Sequence, residues 1–179
     1  MAKGDLKVVG GAAVTPVYKF ASEDRTTSTH NATTKPGEPV EAGGTGNNFA
    51  LLLIDGDPNQ TSSNRFIGLA HNESTETSSA DGYVDVEICI PMLTIIEGKA
   101  TTATNVNTQA KFDAIQNDAI TLDGIVAITG DTDTTPYTIN EDEGDDPNDH
   151  GLVIVGGDFA SGKLHVAVKP LVTLFGNNL

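Results

Sequence analysis

Residues 157–163 have the spacing G-x-x-x-x-G-K, which matches the core of a phosphate-binding loop. Such a loop needs a Ser or Thr after the lysine to hold magnesium, and it opens a helix whose N-terminal amides bind the phosphates. Here Leu164 follows Lys163, and the next residues alternate as in a strand. We therefore expect a glycine-bearing hairpin turn that joins strands at 152–155 and 164–168, without a phosphate site.

Carboxylates are concentrated at residues 141–149, where the sequence is EDEGDDPND. Carboxylate oxygens are ligands that calcium prefers, so this run is a candidate calcium site. It lacks the bidentate Glu that an EF-hand loop places after its central glycine. Runs of like charge usually stay solvated. We interpret this one as part of a protruding loop at about 130–150 and leave calcium binding at its surface open.

Nucleophiles and general bases have no recognisable arrangement in the sequence. It contains neither an H-E-x-x-H zinc motif nor a G-x-S-x-G nucleophile elbow. Cys89 is the single cysteine, and no basic residue near it in the sequence would activate its thiol. The histidines also lack a partner motif: His30, His71, His150 and His165. We predict that the chain is not an enzyme and has no catalytic residues, no bound metal and no cofactor.

The elements that would position these groups are mostly strands, because turn residues and short apolar runs recur at close spacing from residue 36 onward. The clearest strand spans 83–90, where apolar residues at even positions alternate with Asp85, Glu87 and Cys89. Asp85, Glu87 and Cys89 are therefore expected to face solvent. Further strands are predicted at 49–54, 65–70, 93–96, 125–129, 152–155, 164–168 and 171–175.

One short helix is predicted at 110–116, with Thr108 as its N-cap. The connections around it are rich in Thr, Asn and Gly, which favour turns over helices. The sequence therefore predicts a mostly β fold, a compact antiparallel β-barrel or sandwich with at most one short helix.

Charge disfavours two classes of partner. The chain has 179 residues, with 10 Lys and Arg against 25 Asp and Glu, and a formal net charge of -15. Such a charge repels phosphate backbones and anionic lipids, so neither nucleic acid nor a membrane is an expected partner. No run reaches the roughly 18 apolar residues of a membrane span, and no targeting segment is recognised after Met1.

The N-terminal segment differs in charge from the rest. Residues 1–40 have five basic and four acidic side chains, whereas the rest of the chain has five basic and 21 acidic ones. We interpret residues 1–35 as an extended N-terminal arm and residues 36–179 as a single β domain that stays folded without residues 1–20. The apolar residues of the arm are the candidate partner-binding anchors: Val8, Val9, Val17, Tyr18 and Phe20. The alternative for this segment is an edge strand followed by a surface loop.

The chain also has K-P-G-E-P-V at 35–40, R-F-I-G-L-A at 65–70 and D-G-Y-V-D-V-E at 81–87, and then an apolar stretch at 164–174. In this order the segments resemble the cement or decoration proteins of tailed-bacteriophage heads. The resemblance implies a β body, often trimeric, that lies on the exterior of the capsid and ties neighbouring major capsid proteins together. It also implies synthesis in the cytoplasm of the bacterial host, and it supplies no catalytic residue.

We therefore expect a structural virion protein that stabilises the capsid, with the major capsid protein and further copies of the chain, as a homotrimer, as its partners. Contacts that exist only in the assembled head would stabilise the head by linkage. Two alternatives from other classes stay open. One is a calcium-dependent carbohydrate-binding or adhesin-type β module, since acidic loops are normal in such modules. The other is a hydrolase whose active-site residues are dispersed along the chain.

Overall fold

The computed structural model of the chain describes residues 6–10, 16–22, 33–43, 50–53, 65–75, 82–116, 125–131, 135–141 and 152–168. These residues include one α-helix, α1 (Gln109–Gln116), and two short 3₁₀ turns. The strands are β1 (Lys7–Gly10), β2 (Val17–Ser22), β3 (Thr33–Thr34), β4 (Pro39–Gly43), β5 (Ala50–Leu53), β6 (Arg65–Ala70), β7 (Ser74–Thr75), β8 (Tyr83–Ile88), β9 (Ile95–Lys99), β10 (Ile125–Asp131), β11 (Thr135–Asn140), β12 (Leu152–Asp158) and β13 (Lys163–Val168).

The strands pair in two main groups. Six of them form one antiparallel sheet in the order β1-β9-β13-β12-β10-β11, which we call the large sheet. Five others pair in a closed ring, β2-β5-β4-β6-β8, which we call the barrel. Its described pairings are antiparallel except that of β2 with β5. The prediction of a mostly β, antiparallel architecture with at most one short helix is confirmed for the described residues.

Buried and more exposed side chains alternate along β8, and the buried ones lie in the interior of the barrel. Val84, Val86 and Ile88 are buried there and pack with Ala70 of β6 and Val40 of β4. The residues between them are more exposed, as the period of two in a half-buried strand requires. This strand is confirmed, although it ends two residues before the predicted end at 90.

The expectation that Cys89 faces solvent is wrong. Its side chain is fully buried, together with Leu69 of β6, in a second and larger core shared with the large sheet. The large sheet therefore covers the Cys89 side chain, which would otherwise face water. Burial raises the pKa of the Cys89 thiol, because the charged thiolate would lose its hydration.

The larger core lies against one face of the large sheet. Ile96, Leu164 and Val166 are fully buried there, and Phe112 of α1 packs against them. Thr108 caps the helix as predicted, since its Oγ1 accepts a 3.4 Å hydrogen bond from the backbone N–H three residues later. The helix itself begins at Gln109, one residue before the predicted start. Phe112 and the half-buried Ile115 are the side chains through which α1 contacts this core.

The connection between β8 and β9 differs from the prediction. A strand is predicted at 93–96, but the chain turns through Met92, whose φ of 56° lies in the left-handed region. Thr94 Oγ1 accepts a 2.9 Å hydrogen bond from the backbone N–H of Ile90, and this bond closes the turn. The strand β9 therefore starts later, at Ile95, and continues beyond the predicted end at residue 96 as far as Lys99.

The prediction of an extended arm at 1–35 is wrong for the described residues of that segment. The strand β1 is the edge of the large sheet, as the edge-strand alternative has it, and β2 closes the barrel between β5 and β8. Leu6 is buried in the larger core, where it occupies the space that a Cβ on Gly98 would need. Removal of residues 1–20 would take away β1 and most of β2, so the remaining body would lose barrel and core contacts.

The predicted loop at 130–150 contains the strand β11. This strand pairs with β10, and it buries Tyr137 and Ile139 in the larger core. Its sequence, TPYTIN, has only two large apolar residues, so it gives a weak strand signal by itself. Residues 142–150 and the strand predicted at 171–175 lie outside the described residues, as do His30 and His150.

Candidate binding face

Strand register brings distant charged residues together on the solvent side of the large sheet. Glu97 of β9 is directly opposite Lys7 of β1 and, on its other side, directly opposite His165 of β13. Directly opposite residues of antiparallel strands point to the same face. Lys163 and Lys99 are also directly opposite each other, two residues further along the same pair of strands. These five side chains therefore form one charged cluster across three strands.

The carboxylate of Glu97 is the centre of this cluster. Its Oε1 lies 2.9 Å from Lys7 Nζ and 3.0 Å from Lys163 Nζ, and its Oε2 lies 3.1 Å from His165 Nε2. The Glu97 side chain is only 14% exposed. The hydrogen bond from Lys7 is the largest cause that lowers the pKa of Glu97 to about 2, and Lys163 and His165 act in the same direction. Glu97 therefore stays ionised well below neutral pH.

Sequence reasoning missed this cluster. Glu97 and His165 are separated by 68 positions in the chain, and no local motif connects them. The alternation of Lys163 and His165 with buried Leu164 and Val166 does predict that both face solvent from one strand. Their common partner depends on which strand lies next to β13, and that is decided by tertiary pairing.

The five candidate anchors of the N-terminal segment do not lie together on one surface. Val8 packs against the larger core, and Phe20 packs against the core of the barrel. Val9, Val17 and Tyr18 are exposed, with Tyr18 the most accessible at 58%. Three of the five are therefore available to a partner, and they are divided between the large sheet and the barrel.

Other large apolar side chains are also exposed. Met92 and Leu93 lie side by side in the turn between β8 and β9, and Val155 lies on β12. Tyr83 is exposed on the barrel, where Lys19 Nζ lies 5.5 Å from the centre of its ring. Exposed aromatic and methionine side chains are enriched in protein interfaces.

Residues 157–163 form the predicted hairpin turn. Asp158 pairs with Lys163, and Gly162 between them has a φ of 66°, which favours glycine. The Asp158 carboxylate accepts hydrogen bonds from Ser161 Oγ at 2.7 Å and from the backbone N–H of Ala160 at 3.1 Å. The hydrogen bond from Ser161 is the main cause that lowers the pKa of Asp158. The segment is followed by β13, so no helix N-terminus is available here for a phosphate.

Glu141, the first residue of the acidic run, is buried. Its carboxylate accepts hydrogen bonds from the backbone N–H of Thr102 at 3.0 Å and from Asn105 Nδ2 at 3.1 Å. It therefore fixes the 3₁₀ turn that precedes α1, and the interpretation of the whole run as solvated is wrong at this residue. The oxygens of Glu141 thus already accept hydrogen bonds from the chain itself.

Two of the cavities among the described residues are open to solvent. One of about 260 Å³ lies between β1 and the barrel and is lined by residues that include Leu6, Leu69, His71 and Glu87. This volume is below the range of roughly 300–1,000 Å³ that is typical of small-molecule pockets. Another, of about 360 Å³, lies between α1 and Glu141, and its volume is at the low end of that range.

Within the described part of the chain, no three His, Cys, Asp or Glu side chains are grouped as metal ligands. In the same residues, no helix has the length and apolar character needed to cross a bilayer. Comparisons of the chain with models of protein families, with curated proteins and with solved structures find no match.

Proposed function

We propose that the chain is a cement or decoration protein of a tailed-bacteriophage head. It binds the exterior of the capsid, ties neighbouring major capsid proteins together and stabilises the shell, and it does so as a homotrimer. It acts as a structural protein of the virion and carries out no catalysis. Its binding energy adds directly to the stability of the assembled head, because the contacts are available only there.

The observation that carries this proposal is the placement of the three motifs of the resemblance. The segments at 35–40, 65–70 and 81–87 contribute to β4, β6 and β8, which are consecutive neighbours in the barrel. The first two segments are also joined by backbone hydrogen bonds of 2.8 Å, from Gly37 to Ala70 and from Ala70 to Glu38. Motifs that are separate in the sequence thus form one structural unit, which is what a shared fold requires.

The surface gives the proposal further support. Binding by a structural protein needs accessible side chains on rigid elements, and it needs no enclosed pocket. Val17 and Tyr18 on β2 and Tyr83 on β8 are exposed on paired strands. The barrel can therefore offer apolar and aromatic contacts to a capsid without any rearrangement of its strands.

The test is co-sedimentation of the full-length chain with heads that are assembled from the major capsid protein of the same virus and lack the chain. We expect saturable binding with a fixed number of copies per capsomer, and a higher temperature of head disruption in the saturated sample. Heads that sediment without the chain at every concentration tried would overturn the proposal.

Native mass measured by light scattering, with calcium and then with a chelator, separates this proposal from the calcium-dependent alternative. A trimer of unchanged mass and radius in both conditions supports a cement protein. A monomer that expands when calcium is removed would favour the carbohydrate-binding or adhesin-type module instead.

A further inference from the structure

The open cavity of about 360 Å³ beside α1 carries two opposite charges, and we call it the α1 cavity. It is lined by Asn105, Lys111, Ala114, Ile115 and Glu141. Lys111 and Glu141 are both described by the structure, and no ion pair joins these two side chains. Each of the two charges can therefore pair with the opposite charge of a ligand that enters the cavity.

The carboxylate of Glu141 is the anionic group of the α1 cavity. The backbone N–H of Thr102 lies 3.0 Å from its Oε1 and 3.3 Å from its Oε2, and Asn105 Nδ2 donates to Oε1 at 3.1 Å. A carboxylate has about four acceptor sites, so these two donors leave Oε2 able to accept from a further one. Because Glu141 is buried, its attraction to a cationic partner is stronger than that of an exposed carboxylate.

Lys111 supplies the cationic group of the α1 cavity. Its Nζ donates to the backbone oxygen of Thr104 at 2.6 Å and to Asn107 Oδ1 at 3.5 Å. An ammonium group has three N–H donors, so one is available to a ligand. Thr104 and Thr102, which hold the two charged groups, belong to the same short turn before α1. One piece of backbone therefore fixes the ammonium and the carboxylate relative to each other.

The helix adds an apolar wall to the α1 cavity. Lys111, Ala114 and Ile115 are three and four positions apart, so they lie on one face of α1. Ile115 packs against the larger core, which fixes its position. A ligand whose charged groups contact Glu141 and Lys111 can thus place an apolar side chain on this wall. The volume of the cavity, at the low end of the range of ligand pockets, suits a ligand of few atoms.

We propose that the α1 cavity binds an α-amino acid with an apolar side chain, such as leucine. The α-ammonium group donates to Glu141 and to Asn105 Oδ1. The α-carboxylate accepts from Lys111 Nζ, and the apolar side chain packs on Ile115. This site is independent of the proposed function, because it needs neither a capsid nor a second copy of the chain.

The test is an NMR titration of the isotope-labelled, full-length chain with L-leucine at about pH 6, where an α-amino group is protonated. The backbone amide signals of Asn105 and Ile115 should shift in a saturable way. L-leucinamide lacks the carboxylate and isocaproate lacks the ammonium group. We expect each to bind about tenfold more weakly, because each loses one charge-assisted hydrogen bond. Glycine lacks the apolar side chain and should bind at least about threefold more weakly.

Lys111→Gln separates a contact with the ligand from a role in the turn. It should weaken binding of L-leucine about tenfold and change binding of L-leucinamide, which has no carboxylate, by less than about twofold. Lys19→Gln removes an exposed lysine of the barrel and is the matched control, so it should bind L-leucine as the wild type does.

Three results would overturn the proposal. The first is that L-leucine at about 20 mM shifts neither amide signal, since binding weaker than this is not specific. The second is that L-leucine, L-leucinamide and isocaproate bind equally well. The third is that Lys111→Gln weakens binding of L-leucine and of L-leucinamide by the same factor.

Discussion

Replacement of Glu97 by Gln tests whether the charged cluster stabilises the large sheet. The substitution keeps the size of the side chain and removes the charge that Lys7, Lys163 and His165 share. The pKa of Glu97 is lowered from an ordinary value of 4.5 to about 2. At about 1.4 kcal/mol for each pKa unit, this difference sets a ceiling of about 3 kcal/mol on the free energy of unfolding that the charge contributes.

The expected loss is smaller than this ceiling. The Lys7 side chain is more than half exposed, and water screens its attraction to the carboxylate. Gln also keeps one carbonyl oxygen that can accept from a lysine. We therefore expect Glu97→Gln to lower the free energy of unfolding at pH 7 by about 1–2 kcal/mol.

The loss depends on pH in a defined direction. A carboxyl with a lowered pKa in the folded state contributes stability above its unfolded pKa, and this contribution disappears as pH falls through its folded pKa. For Glu97 the contribution is complete above about pH 5 and decreases as the pH falls from about 5 to 2. The stability difference between wild type and variant should therefore shrink over this interval.

The assay is urea unfolding of both proteins at pH 7 and at pH 3, with Glu73→Gln as the control. Glu73 is exposed, and its replacement removes the same charge from a chain of net charge -15. This control accounts for the general relief of repulsion. The reasoning is refuted if Glu97→Gln and Glu73→Gln are equally stable at pH 7, or if the loss caused by Glu97→Gln is the same at both pH values.

Two further predictions concern packing. Gly68→Ala should destabilise the chain by about 3 kcal/mol or more in urea unfolding, because the new Cβ would overlap the backbone oxygen of Glu87. Gly156→Ala is its control and should be far milder, since the nearest atom to its Cβ is 3.8 Å away; equal losses would contradict the register of β6 and β8. Cys89 should react with a thiol reagent at neutral pH only as fast as the protein opens, because its thiol is buried and its pKa is raised. A reaction as fast as that of the urea-unfolded chain would show that the two cores do not meet there.

Local periodicity explains why several elements could be predicted. The alternation over Tyr83–Ile88 needs only a period of two and one buried face, and the structure has that strand in the barrel. The hairpin at β12 and β13 follows from two apolar runs around Gly162, whose left-handed φ suits glycine. Thr108 predicts the start of α1, because an N-cap acts within one turn of the chain.

The errors lie where tertiary contacts override local signals. Cys89 occupies a position that alternation assigns to solvent, yet the large sheet buries it. Glu141 belongs to an acidic run, yet its carboxylate is buried and fixes the turn before α1. The segment around Val17 has the charge balance of an arm, yet it pairs with β8 inside the barrel. In each case the deciding partner is distant in the sequence, and the properties of the segment itself do not identify that partner.

By itself, the sequence determined that this protein is mostly β and where many of its strands and turns lie, because composition, periodicity and turn chemistry are local properties. Only the tertiary structure decided that Lys7, Lys163 and His165 meet at Glu97. Strand order and register determine which side chains lie opposite one another, and a shift by one residue would turn Glu97 into the core. The cluster is therefore a product of pairing between strands that the chain order does not reveal.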